Sequence, residues 1–325
     1  MGTLRLLLRR LLAAVPTFLL VAVGAFLLLE AAPGDAADAY LAQTGGDAGF
    51  AAALRRQLGL DLGPAERLAR FFAGLAAADL GTSAVFNRPV VSLLLERAPI
   101  TLALMAGAVA FAALVGSALG LLAGARPGGF ADRLSSVLTL SLLSVPSFWL
   151  ALLLILLFGL RLGWLPIGGL RTLGGPPSGP GEALDLVRHL VLPIVALGAG
   201  YAALYMRTLR AGMVEAWSAD HVRAARARGL TRRAVVWRAV ARPALIPVVV
   251  LVGQQAGTLF GGSVVIETVF AIPGMGRLAY EAVSGRDALL LVGVVLSGAL
   301  VVIAANLLVD LTLARLDPRI RLGHA

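Results

Sequence analysis

Six stretches of this chain are too long and too apolar to belong to a domain dissolved in water. The first runs from Leu11 to Leu29, and the others lie at roughly 99–124, 134–160, 188–212, 243–269 and 288–313. About 20 apolar residues in a helix cross about 30 Å of hydrocarbon. In that solvent a backbone must satisfy its own N–H and C=O groups, and a segment of this length does so only as an α-helix. The expected fold class is therefore an all-α integral membrane protein of about six transmembrane helices. Composition agrees: 59% of the 325 residues are hydrophobic, 14% are charged and the mean hydropathy is +0.89. A soluble domain carries about 25% charged residues.

Arg5, Arg9 and Arg10 ahead of the first run imitate a secretion signal. At about 19 residues, however, the run exceeds the usual signal core and reads as a retained first helix. Six spans put both termini on one side. Residues 1–10, 125–133, 213–242 and 314–325 hold fifteen arginines against four acids, whereas the short loops 161–187 and 270–287 hold four of each. Positive charge in short loops marks the cytoplasmic side, so both termini and the 213–242 loop are expected there.

The net charge of +10 is thus spent on orientation, and no nucleic-acid partner is expected. All 28 basic residues are arginine. Without lysine there is no Schiff-base chemistry and no phosphate-binding loop lysine, so any ATP consumed is hydrolysed by another subunit. Without cysteine there are no disulfides or thiolates. His189, His221 and His324 are far apart in sequence, which gives no metal-ligand spacing. No cofactor is expected on this chain, and no enzymatic site.

Between the first two spans, residues 30–98 mix eight acids with six arginines and show amphipathic patterns near 50–60 and 65–80, read as short surface helices. Residues 163–187 are dense in Gly and Pro, which predicts an irregular loop. The resulting division is 1–30, 31–93, a five-helix core 94–313 containing the loop 213–242, and a tail 314–325.

That loop punctuates itself. Ser218 suits an N-cap, Asp220 puts an acid in a first turn, Arg226 and Arg228 put cations in a last turn, and Gly229 fits a left-handed stop. Thr231 then caps a second short helix, which Pro243 resets at the start of the fifth span. The first of these helices is too short to persist in water without a partner surface. Ala224 and Ala225 offer it a shallow patch flanked by Arg223, Arg226 and Arg228. One reading is a positively charged loop that fixes topology and touches lipid headgroups. The other is a helix whose small residues let a partner's groove approach closely.

In the spans, Gln254, Gln255 and Asn306 are polar groups placed deep, either lining a solute path or bonding helices together. Glu267 and Asp310 lie near span ends, the second within reach of Arg315, and Pro146 interrupts the third span. Gly116 with Gly120, and Gly253 with Gly257, have the spacing of four that brings helices together.

The loop segment Asp220-His-Val-Arg-Ala-Ala-Arg-Ala-Arg-Gly229 and the closing Ala-Leu-Ile-Pro at Ala244–Pro247 resemble the permease subunits of binding-protein-dependent ABC importers, in the branch for dipeptides, oligopeptides and nickel. Arg223 stands where the wider family has the glutamate of its Glu-Ala-Ala pattern. Further blocks match in order: Asp79-Leu-Gly-Thr-Ser83, Ser144-Val-Pro-Ser-Phe-Trp149, Leu162-Gly-Trp-Leu-Pro166, Val265-Ile-Glu-Thr-Val-Phe270 and Leu316-Asp-Pro-Arg-Ile-Arg321.

The resemblance implies a type I importer fold with a peripheral first helix in the inner membrane of a bacterium, a second permease, two cytoplasmic ATPases and an extracytoplasmic binding protein. It also implies that Glu215, Arg223, Ala224, Ala225, Arg226 and Gly229 form the loop through which ATP hydrolysis elsewhere is coupled to transport. The rival readings are a secondary transporter or channel, which calls for mid-membrane charges or a repeat, and an intramembrane serine hydrolase, which calls for a Ser–His pair. Neither signature is visible in the sequence.

Overall fold

In the computed structural model, which describes residues 2–31, 49, 53, 62–172, 174–175 and 178–316, the apolar runs are helices. In chain order these are α1 Gly2–Ala31, α2 Pro64–Ala76, α3 Val90–Ala125, α4 Phe130–Ser144, α5 Ser147–Arg161 and α6 Pro180–Ala216. They continue with α7 Asp220–Ala227, α8 Arg232–Gln254, α9 Ala256–Val269, α10 Met275–Ser284 and α11 Ala288–Leu316. Among the described residues, strand-like pairing is confined to one bridge, Thr82 to Pro89.

The chain divides into two units, Met1–Thr101 with Pro273–Ala304 and Leu102–Ile272 with Ala305–Ala325. In the first, Ala22 and Ala25 of α1 and Val292 and Leu296 of α11 are buried together, and Phe71, Phe72 and Leu75 of α2 close over them. The expected surface helix near 65–80 is thus α2, whose apolar face packs while Glu66 and Arg70 stay outside. The pattern near 50–60 lies outside the described residues.

Residues 79–90 fold into a tight knot held by one carboxylate. Asp287, 3% exposed, accepts hydrogen bonds from the Ser83 hydroxyl at 2.6 Å, from Val85 N–H at 3.1 Å and from Leu290 N–H at 3.1 Å. It therefore caps α11 and pins the knot with the same two oxygens.

The second unit is built around α6. Within its apolar stretch 67% of residues are buried, against 28% in α3 and in α8, so α6 is the helix the others surround. It can be central because it is lined with small residues: Ala196, Gly198, Ala199, Ala202 and Ala203 are buried. The expected Gly116–Gly120 contact is present and Gly124 extends it. A Cβ on Gly116 would overlap the Ala202 carbonyl oxygen, one on Gly120 would sit 2.9 Å from the Met206 oxygen, and one on Gly124 2.7 Å from the Met213 Cβ. Only glycine lets the two backbones meet there.

The spans go beyond or depart from expectation at three points. Pro146 does more than interrupt the third span: α4 and α5 diverge by 103° across it. The fifth span is two helices, α8 and α9, divided at Gln255, so Gly253 and Gly257 fall on either side of a break and share no face; Gly253 is buried and Gly257 exposed. Pro243 stands in the first turn of the α-helical stretch Arg242–Gln254, as expected, and Thr231 caps the segment ahead of it, its hydroxyl accepting from Ala234 N–H. The two stretches are nevertheless continuous within α8. A π-helical turn at Val236–Ala241 absorbs the missing donor and the bulk of the ring.

Helix α6 begins at Pro180, eight residues ahead of the expected span. Its first turns hold the Gly/Pro-rich loop: the Asp185 carboxylate accepts from Thr172 N–H at 2.8 Å and from the Thr172 hydroxyl at 2.7 Å, and Arg188 donates to the Trp164 carbonyl at 3.0 Å. His189 is buried, with Nδ1 2.8 Å from the Asp185 carbonyl.

Candidate functional site

The loop between α6 and α8 carries α7, an eight-residue helix. Its N-cap is Ala219 in extended conformation and no side chain caps it. Ser218 is not the cap expected from sequence, because its hydroxyl donates back to the Glu215 carbonyl at 2.7 Å. Asp220 stands in the first turn and pairs with Arg223 on the exposed surface.

At the other end Gly229 closes the helix as expected, with Arg226 in the last turn and Arg228 at the C-cap. Gly229 has φ +76°, its N–H donates to the Arg226 carbonyl at 2.9 Å, and Leu230 N–H donates to the Ala225 carbonyl at 3.4 Å. This is the paired-bond Schellman stop, which satisfies two carbonyls that the helix leaves open.

A helix this short needs a surface to lie on. Val222 and Ala225 supply it, at 0% and 2% exposure, in a cluster with Tyr205, Leu209 and Met213 of α6 and Val235, Val240 and Ala244 of α8. Burying Val222 alone stabilises the arrangement by about 1.5–3 kcal/mol. The consequence corrects the expected patch: Ala225 faces inward, so Ala224 and Ala225 do not form one exposed surface. Arg223, Ala224, Ala227 and Arg228 make up the outward face, and Glu215 is exposed at the end of α6.

Side chains tie the loop down on both flanks. Trp217 Nε1 donates to the Gly124 carbonyl at 2.8 Å, so an indole answers an open carbonyl at the end of α3. The Arg226 guanidinium lies 4.8 Å over that indole ring, a cation–π contact, and Arg232 donates to the Ala125 carbonyl at 3.2 Å. His221 Nε2 is 2.9 Å from the Ala239 carbonyl. Pro127, Trp217, Arg226, Leu230, Arg232 and Val235 line an open hollow of about 460 Å³ beside α7.

Residues 116–322 match the family model of the binding-protein-dependent transport system inner membrane component, and residues 3–105 match the model of the N-terminal part of such components. The chain belongs to this family. It is 39% identical to a protein of Brucella ovis named as a peptide permease, over 98% of this chain and 99% of the relative. It is 38% identical to the glutathione transport system permease protein GsiC of Pectobacterium atrosepticum, over 96% and 97%. Among solved structures, a chain of the MetNI methionine ABC transporter in inward facing conformations superposes with a TM-score of 0.54 at 20% identity, covering 69% of this chain and 96% of that one. That likeness shows the fold, the type I arrangement of ABC importer membrane subunits. The chain is a permease of the dipeptide and oligopeptide branch.

The permease's deep polar residues fall at the end of α8, in the break after it and on α11. Gln255 sits in the break between α8 and α9, where its side-chain oxygen accepts from the Thr258 hydroxyl at 2.7 Å. Gln254 is exposed next to it and Asn306 is exposed on α11, with no hydrogen bond joining the three among the described residues. Glu267 is fully buried in α9. The side chains of Asp310 and Arg315 lie outside the described residues.

Sequence reasoning missed three participants. Trp217 was passed over as part of the loop, although a lone tryptophan beside an arginine-rich helix is a ready stacking partner. Asp132, 5% exposed, accepts from Gly128 N–H at 2.8 Å and takes both Arg210 Nε and, at 3.2 Å, Nη2, so that α4 is clamped to α6. Those two residues are 78 positions apart and carry no sequence signal of their meeting. Asp287 did carry one, as an acid directly before an apolar helical run.

Proposed function

We propose that this permease carries small peptides, glutathione-like peptides included, inward across the membrane as one of two permeases served by two ATPases and an extracytoplasmic binding protein. The names of the relatives favour the peptide class over nickel complexes. The observation that carries the coupling part is the two-faced α7: one face is rooted in the permease's own core, the other is bare, small and basic. A partner that grips the bare face moves α6 and α8, because Val222 and Ala225 are locked between them. Both termini and this loop then lie in the cytoplasm, where the arginine bias puts them. Gln254, Gln255 and Asn306 are retained as candidates for the solute path, on polarity alone.

The adjacent alanines give the test. Ala224→Glu places a bulky acid on the bare face without entering the core, and is expected to abolish co-purification with the importer's ATPases and ATP-driven uptake of labelled dipeptide or glutathione, while the detergent-solubilised permease melts as wild type. If Ala224→Glu still binds the ATPases and transports, α7 is not the coupling element. If wild type binds no ATPase at all, the importer reading of the loop is wrong.

A further inference from the structure

We infer that the hollow beside α7 is a socket for an acidic side chain of the docking ATPase, an ionic anchor separate from the bare face of the helix. This rests on the coupling reading above. The hollow of about 460 Å³ has room for a carboxylate side chain together with part of the loop that bears it. Its wall carries two guanidinium groups, Arg226 and Arg232, and no acid. Among the described residues neither arginine has a carboxylate partner: Arg226 is held flat on Trp217, and Arg232 spends one donor on the Ala125 carbonyl.

A guanidinium has five donors in a fixed fork, and both of these are pre-aimed by contacts that leave donors over. The remaining wall, Pro127, Trp217, Leu230 and Val235, is largely apolar and suits the methylene stem of a glutamate, while the hollow stays open to solvent at the two exposed guanidinium groups. Arg226 belongs to α7 itself and Arg232 to the start of α8, so a carboxylate seated between them would cross-brace the two segments. On the outward face of α7 Arg223 is paired with Asp220, which leaves Arg228 as a further exposed cation beside Arg226, a net positive charge that matches an acidic partner surface.

The experiment measures affinity of the importer's purified ATPase pair for the permease in nanodiscs, with salt varied from about 50 to about 500 mM. Wild type is compared with the double variant Arg226→Gln/Arg232→Gln and the charge-keeping Arg226→Lys/Arg232→Lys. The expected result is a loss of about ten-fold or more in the glutamine variant with a flattened salt dependence, and partial recovery of both in the lysine variant.

Unchanged affinity and salt slope in the glutamine variant, alongside loss of binding by Ala224→Glu, would overturn the socket and leave the coupling reading standing. Failure of wild type to bind would remove the coupling reading itself. A loss seen only in nanodiscs containing phosphatidylglycerol, and absent in pure phosphatidylcholine, would also overturn the socket, assigning the hollow to an anionic lipid headgroup. A melting curve for each variant separates lost binding from lost folding.

Discussion

Replacing Gly229 tests backbone handedness in isolation, because φ is +76° and a Cβ there would meet nothing within 4 Å. Gly229→Ala therefore adds no clash. An L-residue in the left-handed region costs about 1–2 kcal/mol, partly offset by about 0.4–1 kcal/mol from a less flexible unfolded chain. The net is about 1 kcal/mol, which raises the population of the opened loop by about five-fold. The opening is local, since Gly229 closes only α7, whereas α6 and α8 have their own packing. Gly229→Asn, whose side chain tolerates the left-handed region, should raise opening by less than Ala does. Amide hydrogen exchange read by mass spectrometry on peptides covering 218–232 measures this directly. Ala exchanging like wild type, or faster exchange spreading along all of α6, would refute the reasoning, the first by denying the strain and the second by denying that it is local.

The left-handed stop recurs at the ends of α2, α9 and α10, but with Ala78, Ala271 and Arg286 at φ 54°, 51° and 54°. Glycine at any one of these should stabilise by about 0.5–1 kcal/mol, visible as a raised melting temperature in detergent. Gly120→Ala pushes a methyl to 2.9 Å from the Met206 carbonyl and 3.0 Å from the Leu209 Cβ, and should cost about 1–3 kcal/mol. Gly200→Ala, where a Cβ meets nothing, should instead gain up to about 1 kcal/mol of helix propensity in the same melt. Asp287→Ala removes the α11 cap and strands Ser83 and Val85 N–H, for a loss of about 2–4 kcal/mol, with faster proteolysis within 79–90 as the readout.

Helix existence was legible because hydrocarbon allows the backbone few solutions, and Gly229 and Thr231 were legible because their roles are local. What escaped depends on neighbours. The break at Gln255 is flanked by Gly253 and Gly257, whose spacing of four reads equally as a packing pair, and the start of α6 hides in a Gly/Pro-rich stretch whose Pro180 is itself a good first-turn residue. Ala224 and Ala225 look equivalent in sequence, yet helical rotation sends one into the core and leaves the other bare. Ser218 looked like a cap, but an alternative acceptor, the Glu215 carbonyl, lay three residues behind it. The Asp132–Arg210 clamp and the Trp217–Gly124 bond span too much chain for any local pattern to announce them.

The glycine stripe at 116, 120 and 124 acts as a keyway. With no side chain between the backbones of α3 and α6 at those points, sliding one helix along the other by even a single residue's rise would drive a carbonyl ridge out of its slot and into the next turn. These two segments are therefore expected to move as one piece. A displacement within the second unit is expected instead at joints free of such meshing, and it has two: the elbow at Pro146 and the break at Gln255.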